Sequence, residues 1–341
     1  MSATVDSSKT FLQLIYNNHD ITKELKGHIM DWNYVDNLSG SIDDLQVNLE
    51  DIEHKWIQSW FPSKGSILQA FKYHQQDDRE IGKVNLGKFE LDEITASGPG
   101  VNCVIKALST PEKSSLRREE KSRSWENATL RTIAGDIAKA NGLKLIYKAV
   151  ETDKQDRVEQ DEQSDIAFLF EQCSNEGLCL KITHNAIVIL DEADYEQKDP
   201  VTTIYRDNSN KEAPVLVKDW SAKTTLTGVY HSCTVKHKNT KSKKLIQGTF
   251  TPPKPPKTSR KLIIKSEVKS VAAAQKLAKK KLREANKDAT TVDLTVYTHK
   301  HLYAGQTVML KKFGKFDGKY IITTVNLPAN TIKLRKCLVG Y

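Results

Sequence analysis

The chain has 341 residues, 38% hydrophobic and 28% charged, too long for one ordinary core and unlike disordered, collagen-like or membrane proteins in composition. Its formal net charge of +9 is unevenly placed: Lys211 to Tyr341 holds 28 Lys or Arg against 7 Asp or Glu, a balance of +21 that leaves −12 on residues 1–210. Opposed halves suit stacking against neighbouring protein subunits, and a basic half also invites a polyanion.

Residues Met1 to Lys9 are small and polar, and no eighteen apolar residues run together, so neither a signal peptide nor a membrane anchor is expected. Cysteines stand at 103, 173, 179, 233 and 337, an odd number without a C-x-x-C pair. Reduced, mostly buried thiols and a cytoplasmic folding environment are expected.

Period-two patterning in Phe11–Tyr16 and Ser41–Leu49 predicts half-buried strands, with Asn37–Gly40 supplying turn chemistry between them. Gly87–Asp92 and Val101–Ala107 continue the pattern around the turn Ser97–Gly100, and residues 1–108 read as a small β-barrel or sandwich, taken as a first β-barrel domain. Texture changes near Thr110, where Pro111–Lys121 is polar and charged. Ser124 is placed as the cap of a helix with Leu130, Ile133, Ala134, Ile137 and Ala138 on one face and Gly142 as terminator. Leu143–Tyr147 reads as a strand, Glu151–Glu162 as an acidic loop, and Ser164 as the cap of a second helix ending at Gly177. A hairpin, Leu178–Thr183 and Ala186–Leu190 turning at His184–Asn185, completes an α+β middle module over 109–194.

Strands resume from Val201, at Val215–Val217 and Val229–Val235. Pro252, Pro253, Pro255 and Pro256 then predict an extended, exposed polyproline-like loop, to which no role is assigned. A helix over about 267–287 carries the apolar stripe Val268, Val271, Ala274, Ala278, Leu282 and Ala285. Lys269, Lys276, Lys280, Arg283 and Lys287 fall together on an adjoining face, the candidate partner face, joined by Lys236, Lys238, Lys241, Lys243 and Lys244. Closing strands at Thr291–Thr298, Thr307–Leu310, Tyr320–Val325 and Thr331–Leu334 make residues 195–341 a second β-barrel with that helix packed on it. The fold class is α+β, mainly β: two β-barrel domains flanking a small α+β middle module.

Three stretches in this order resemble the phage late-control protein D family, the baseplate hubs of contractile tails, defective prophage tails and R-type bacteriocins. They are Gly87–Ile94; Ser164–Leu169 leading to Glu176–Leu178; and Ala304–Val308 with Phe316–Ile322. The resemblance implies a structural symmetry adaptor, a homotrimer between tail tube protein and spike protein with other baseplate proteins around it. It implies no cofactor, and assembly in the host cytoplasm before the protein joins the tail baseplate or bacteriocin particle.

Chemistry-bearing motifs give little. His299 and His301 share a strand face, with His231 and His237 elsewhere, but a metal needs three or four converging ligands and no cysteine or carboxylate cluster accompanies them. Cys233, mid-strand among Tyr230, His231 and Val235, suits a packed thiol better than the nucleophile of a peptidoglycan hydrolase. Asp43–Asp44, Asp77–Asp78 and Glu119–Glu120 are neighbours whose side chains point apart. No phosphate-cradling glycine motif runs from strand to helix, and Asn127–Thr129 is a chance glycosylation match. DNA contact through the basic half is possible but has no motif and no interleaved aromatics behind it.

Overall fold

The computed structural model describes residues 8–76, 79–99, 102–109, 115–208, 214–238, 245–298 and 300–341. Asp77–Asp78, Gly100, the boundary at Thr110–Lys113, Lys241, Lys243, Lys244 and His299 lie outside the described residues.

The N-terminal wing comprises β1 (Ser8–Tyr16), β2 (His19–Asp20), α1 (Thr22–Leu25), β3 (Ile29–Asn37), β4 (Asp44–Glu50), β5 (Ile67–Gln76), β6 (Arg79–Ser97) and β7 (Asn102–Leu108). Alternation drives it: in β4, Leu45, Val47 and Leu49 are inside while Gln46 and Asn48 are half-exposed. The middle module follows as β8 (Glu120–Ala128), α2 (Leu130–Ala140), β9 (Lys144–Lys148), β10 (Gln155–Ser164), α3 (Asp165–Glu176), β11 (Leu178–Thr183), β12 (Ala186–Asp191) and α4 (Glu192–Gln197). After β13 (Thr203–Tyr205) and β14 (Val215–Thr224), a small unit of β15 (Ser232–Lys238), β16 (Leu245–Phe250), β17 (Lys261–Lys265) and α5 (Val271–Asn286) interrupts the C-terminal wing. That wing resumes with β18 (Thr290–Thr298), β19 (Thr307–Lys311), β20 (Gly318–Leu327) and β21 (Thr331–Lys336).

The two wings share one sheet of 13 strands, in the order β14-β18-β21-β20-β3-β4-β7-β6-β5-β1-β2, with β19 on β20 and β13 parallel to β19. The join is antiparallel, Thr324 opposite Asn37 through Leu327 opposite Tyr34. One core runs across it, from Leu45, Phe89 and Leu91 to Leu294, Leu310, Tyr320 and Leu334. Where β13 ends, the Asn208 side chain accepts from the Val217 N–H at 2.8 Å and donates to its carbonyl at 3.0 Å, tying β13 toward β14 by an amide instead of a ladder. Among the described residues no ring of ladders closes. The chain is mainly β with large antiparallel sheets, and the long sheet runs through both regions expected to form separate barrels.

The middle module has its own core, Ile133, Ile137, Phe168, Leu169, Leu180 and Ile187 among its members. Ser164 caps α3, accepting from the Ala167 N–H at 3.3 Å, and Gly177 ends it at φ +71°, as the sequence indicates. Two local expectations are corrected. Thr129, not Ser124, caps α2, because Ser124 lies inside β8, paired with Glu159. Residues 155–164 form β10 rather than an acidic loop: backbone pairing with β8 suffices, and Val158 and Gln160 are its fully buried side chains.

The helix expected on the second barrel packs instead on the sheet β16-β15-β17, burying Ala274, Ala278 and Leu282 against Cys233 and Val235. Gly248 permits the contact, since a Cβ there would stand 2.5 Å from the Gln275 nitrogen and 2.7 Å from the Ala274 Cβ. Gly248→Ala is expected to push α5 off its sheet and cost about 1–3 kcal/mol in urea unfolding. The proline loop is also less free than its composition suggests. Pro252 is buried, Gly340 sits hard against Pro253, and Tyr341 meets Phe250 edge-on with ring centroids 6.4 Å apart.

Candidate functional site: the charged junction

The basic face of α5 meets carboxylates of its own chain. Lys269 Nζ lies 2.6 Å from Asp156, Lys276 Nζ 3.1 Å from Asp153, and Lys280 contacts Glu176. Lys287 reaches Glu284 one turn back at 2.7 Å, and Lys281 donates to Asn175 at 2.9 Å. The first two pairs are well exposed, and such pairs contribute only about 0–1 kcal/mol each. They set the register between α5 and the acidic β9–β10 connection more than they hold it.

Arg283 is different. It is buried with its guanidinium 2.9 Å from Glu196, and Arg335 of β21 contacts Glu192 and stands 3.6 Å from Glu196. Two guanidiniums and two carboxylates, each at most 8% exposed, thus join α4, α5 and the long sheet. Burial pushes the Glu192 carboxyl up, but Arg335, Lys287 and Arg283 outweigh it and hold it below the usual glutamate value. Burial likewise opposes the charge on Arg335, and Glu192 with Glu196 and Asp288 more than restores it. Of these four groups the sequence had singled out Arg283. Glu192 and Glu196, four apart on α4 behind the Asp191 cap, were the available signal for a carboxylate face.

A second buried cluster locks the middle module to the sheet. Lys181 of β11 contacts Asp36 of β3, reaches Asp43 at 2.8 Å and donates to the Asn37 carbonyl at 2.9 Å. Asp36 also accepts from the Ala304 N–H at 2.8 Å. Burial raises Asp43 to about 6; Lys181 opposes the rise and Asp36 reinforces it. Within the module, Asp165 is fully buried and bound by Lys121, Arg123, Gln160 and Asn141. Burial raises its carboxyl and these partners outweigh that, leaving it below the usual aspartate value.

The tempting nucleophile and ligand residues are dispersed. Cys233 is 0% exposed inside the α5 core, and burial pushes its thiol up to about 11. His231 lies near the Pro256 carbonyl, whereas His301 stands beside Tyr303, its basicity lowered by burial and by Lys72. No group of three or more His, Cys, Asp or Glu is placed to hold a metal among the described residues, and none of their helices is long and apolar enough to cross a membrane. The architecture offers interfaces, ion-pair locks and open edges.

Known proteins share this arrangement. The 43 kDa tail protein of prophage MuSo2 from Shewanella oneidensis matches with a TM-score of 0.68 at 14% identity, covering 95% of this chain and 98% of its own. A tail protein from Neisseria meningitidis MC58 matches with a TM-score of 0.69 at 11% identity, 96% of each chain being covered. At these identities the likeness shows the fold. The probable baseplate hub protein of Escherichia phage P2 is 25% identical over 178 residues, 51% of this chain and 44% of that protein's own length. The family model for the phage tail baseplate hub matches residues 92–331, from β6 through the middle module and the charged junction to β21. The chain belongs to the phage tail baseplate hub (GPD) family.

Proposed function

We propose that the chain is a non-enzymatic adaptor: a homotrimeric hub of a contractile phage-like tail, set between tail tube and spike, with other baseplate proteins around it. The match of the hub family across residues 92–331 carries this reading, because it runs from the end of the N-terminal wing through the whole middle module and most of the C-terminal half. The geometry supports it. Two wings on one continuous sheet are tied to a middle module by buried ion pairs, and a ring of such chains presents two wings for every chain. On this reading residues 1–108 and 195–341 act as tube-type barrels, and 109–194 as the module that spaces them. Such obligate rings bury on the order of several thousand Å² per subunit.

Light scattering of the purified chain, alone and with a tail spike protein, is expected to return the mass of a trimer, and negative-stain images a ring with an axial channel. A single-chain mass in both cases sinks the proposal.

A further inference from the structure

Part of the unpaired positive charge of the C-terminal half lies on the far side of the small sheet from α5. In β17, Leu262 and Ile264 pack into the α5 core, so Lys261, Ile263 and Lys265 share the opposite face. Ile263 is 57% exposed, and no ion pair among the described residues includes Lys261 or Lys265, whereas Lys269, Lys276 and Lys280 meet carboxylates of their own chain. Among the described residues β17 pairs with β15 alone, which leaves its other edge open. An apolar side chain between two uncompensated lysines on an open edge lacks an acidic partner with an apolar socket.

The N-terminal wing has such a socket. Between α1, β1 and the β4–β5 connection lies a cavity of about 590 Å³, walled by Leu14, Leu25, Trp56 and Trp60, with the exposed carboxylates Asp20 and Glu24 at its mouth. Trp56 is 6% exposed. No residue of β17 lines this cavity in the chain itself.

We infer that the β17 edge of a second copy seats at this mouth, Ile263 entering the cavity while Lys261 and Lys265 meet Asp20 and Glu24. Same-face neighbours two apart on a strand are roughly 6.6 Å apart, so the lysines flank the isoleucine by that distance on either side, reaching a rim while it enters the hole. The contact joins two different surfaces, and such contacts close into rings when the rotation permits. It rests on the ring reading and names one of its interfaces.

The test uses full-length chains in a Cys337→Ser background, the other four cysteines being buried. Ser59→Cys, at an exposed position lining the cavity, is placed on one batch and Ile263→Cys on another. The mixture is expected to form a disulfide-linked pair on mild oxidation, and neither batch alone. In parallel, Lys261→Glu/Lys265→Glu is expected to weaken association at least about tenfold by light scattering, and mixing with Glu24→Lys to restore it. No mixed disulfide, together with undiminished assembly of the charge-reversed chain, overturns this contact and leaves the ring standing. A wild type of single-chain mass at every concentration removes both. Association that survives charge reversal beside a salt-sensitive affinity for duplex DNA that does not would assign the face to nucleic acid and overturn the contact as well.

Discussion

Replacing Arg335 by methionine is expected to destabilise the folded chain by about 3–5 kcal/mol, a larger effect than removing any of the α5 lysines. Methionine keeps most of the volume, so the loss is electrostatic. Glu192 and Glu196, 5% and 4% exposed, are left with Arg283 as their one buried guanidinium, 2.9 Å from Glu196 and 3.8 Å from Glu192. A buried carboxylate without a full counter-charge has neither water nor a cation to stabilise it. Urea unfolding measures the loss, and the cycle with Glu192→Gln separates its cause: the double variant should recover a good part of what Arg335→Met removes. If the double variant is as unstable as the sum of the singles, the two residues do not act as a pair. Lys276→Met, by contrast, breaks a contact between side chains 48% and 75% exposed, and should change stability by less than about 1 kcal/mol.

The second large effect is expected at Lys181. Lys181→Met leaves Asp36 and Asp43 facing each other at 6% and 5% exposure and should cost about 3–5 kcal/mol near neutral pH, loosening the middle module from the sheet. This cluster also has a pH signature. Asp43 is raised by burial to about 6 from an ordinary value of 3.8, so it binds its proton more tightly folded than unfolded. Its contribution is therefore fully present below about pH 4 and is lost as pH rises through 6. Between pH 7 and pH 5 the wild type should gain about 1 kcal/mol relative to Asp43→Asn, which has no proton to bind there. Asp165 and Glu192 are held low instead; their contributions are present above the ordinary carboxylate values and fall away only below them, outside this window. A wild type that loses stability relative to Asp43→Asn on the same acidification would show that Asp43 is not raised.

Much of the secondary structure was legible because it rests on local rules. Leu45, Val47 and Leu49 alternate because a half-buried strand needs them to, and Ser164 and Gly177 bracket α3 because helix ends need a side-chain acceptor and a left-handed residue. The misreadings have one cause. β8 and β10 are polar on most of both faces, and their stability comes from pairing with each other; polarity alone reads such a segment as loop, and it moved the α2 cap from Thr129 to Ser124.

The candidate basic face was visible as a periodicity of cations on one helix, but what it faces was not. The sequence by itself determined that a +21 half and a −12 half must be reconciled, and that α5 has one apolar and one cationic side. Only the tertiary structure decided that α5 spends its cations on Asp153, Asp156, Glu176 and Glu196 of the same chain. It also decided that β3 and β20, whose partners lie about 290 residues apart, fuse two wings into one sheet, and that two lysines without an ion pair flank Ile263 on β17. Periodicity states which residues share a face of one element. Which carboxylate that face meets depends on how elements distant in the chain pack, and burial then sets whether the pair is a weak surface contact or a lock worth several kcal/mol.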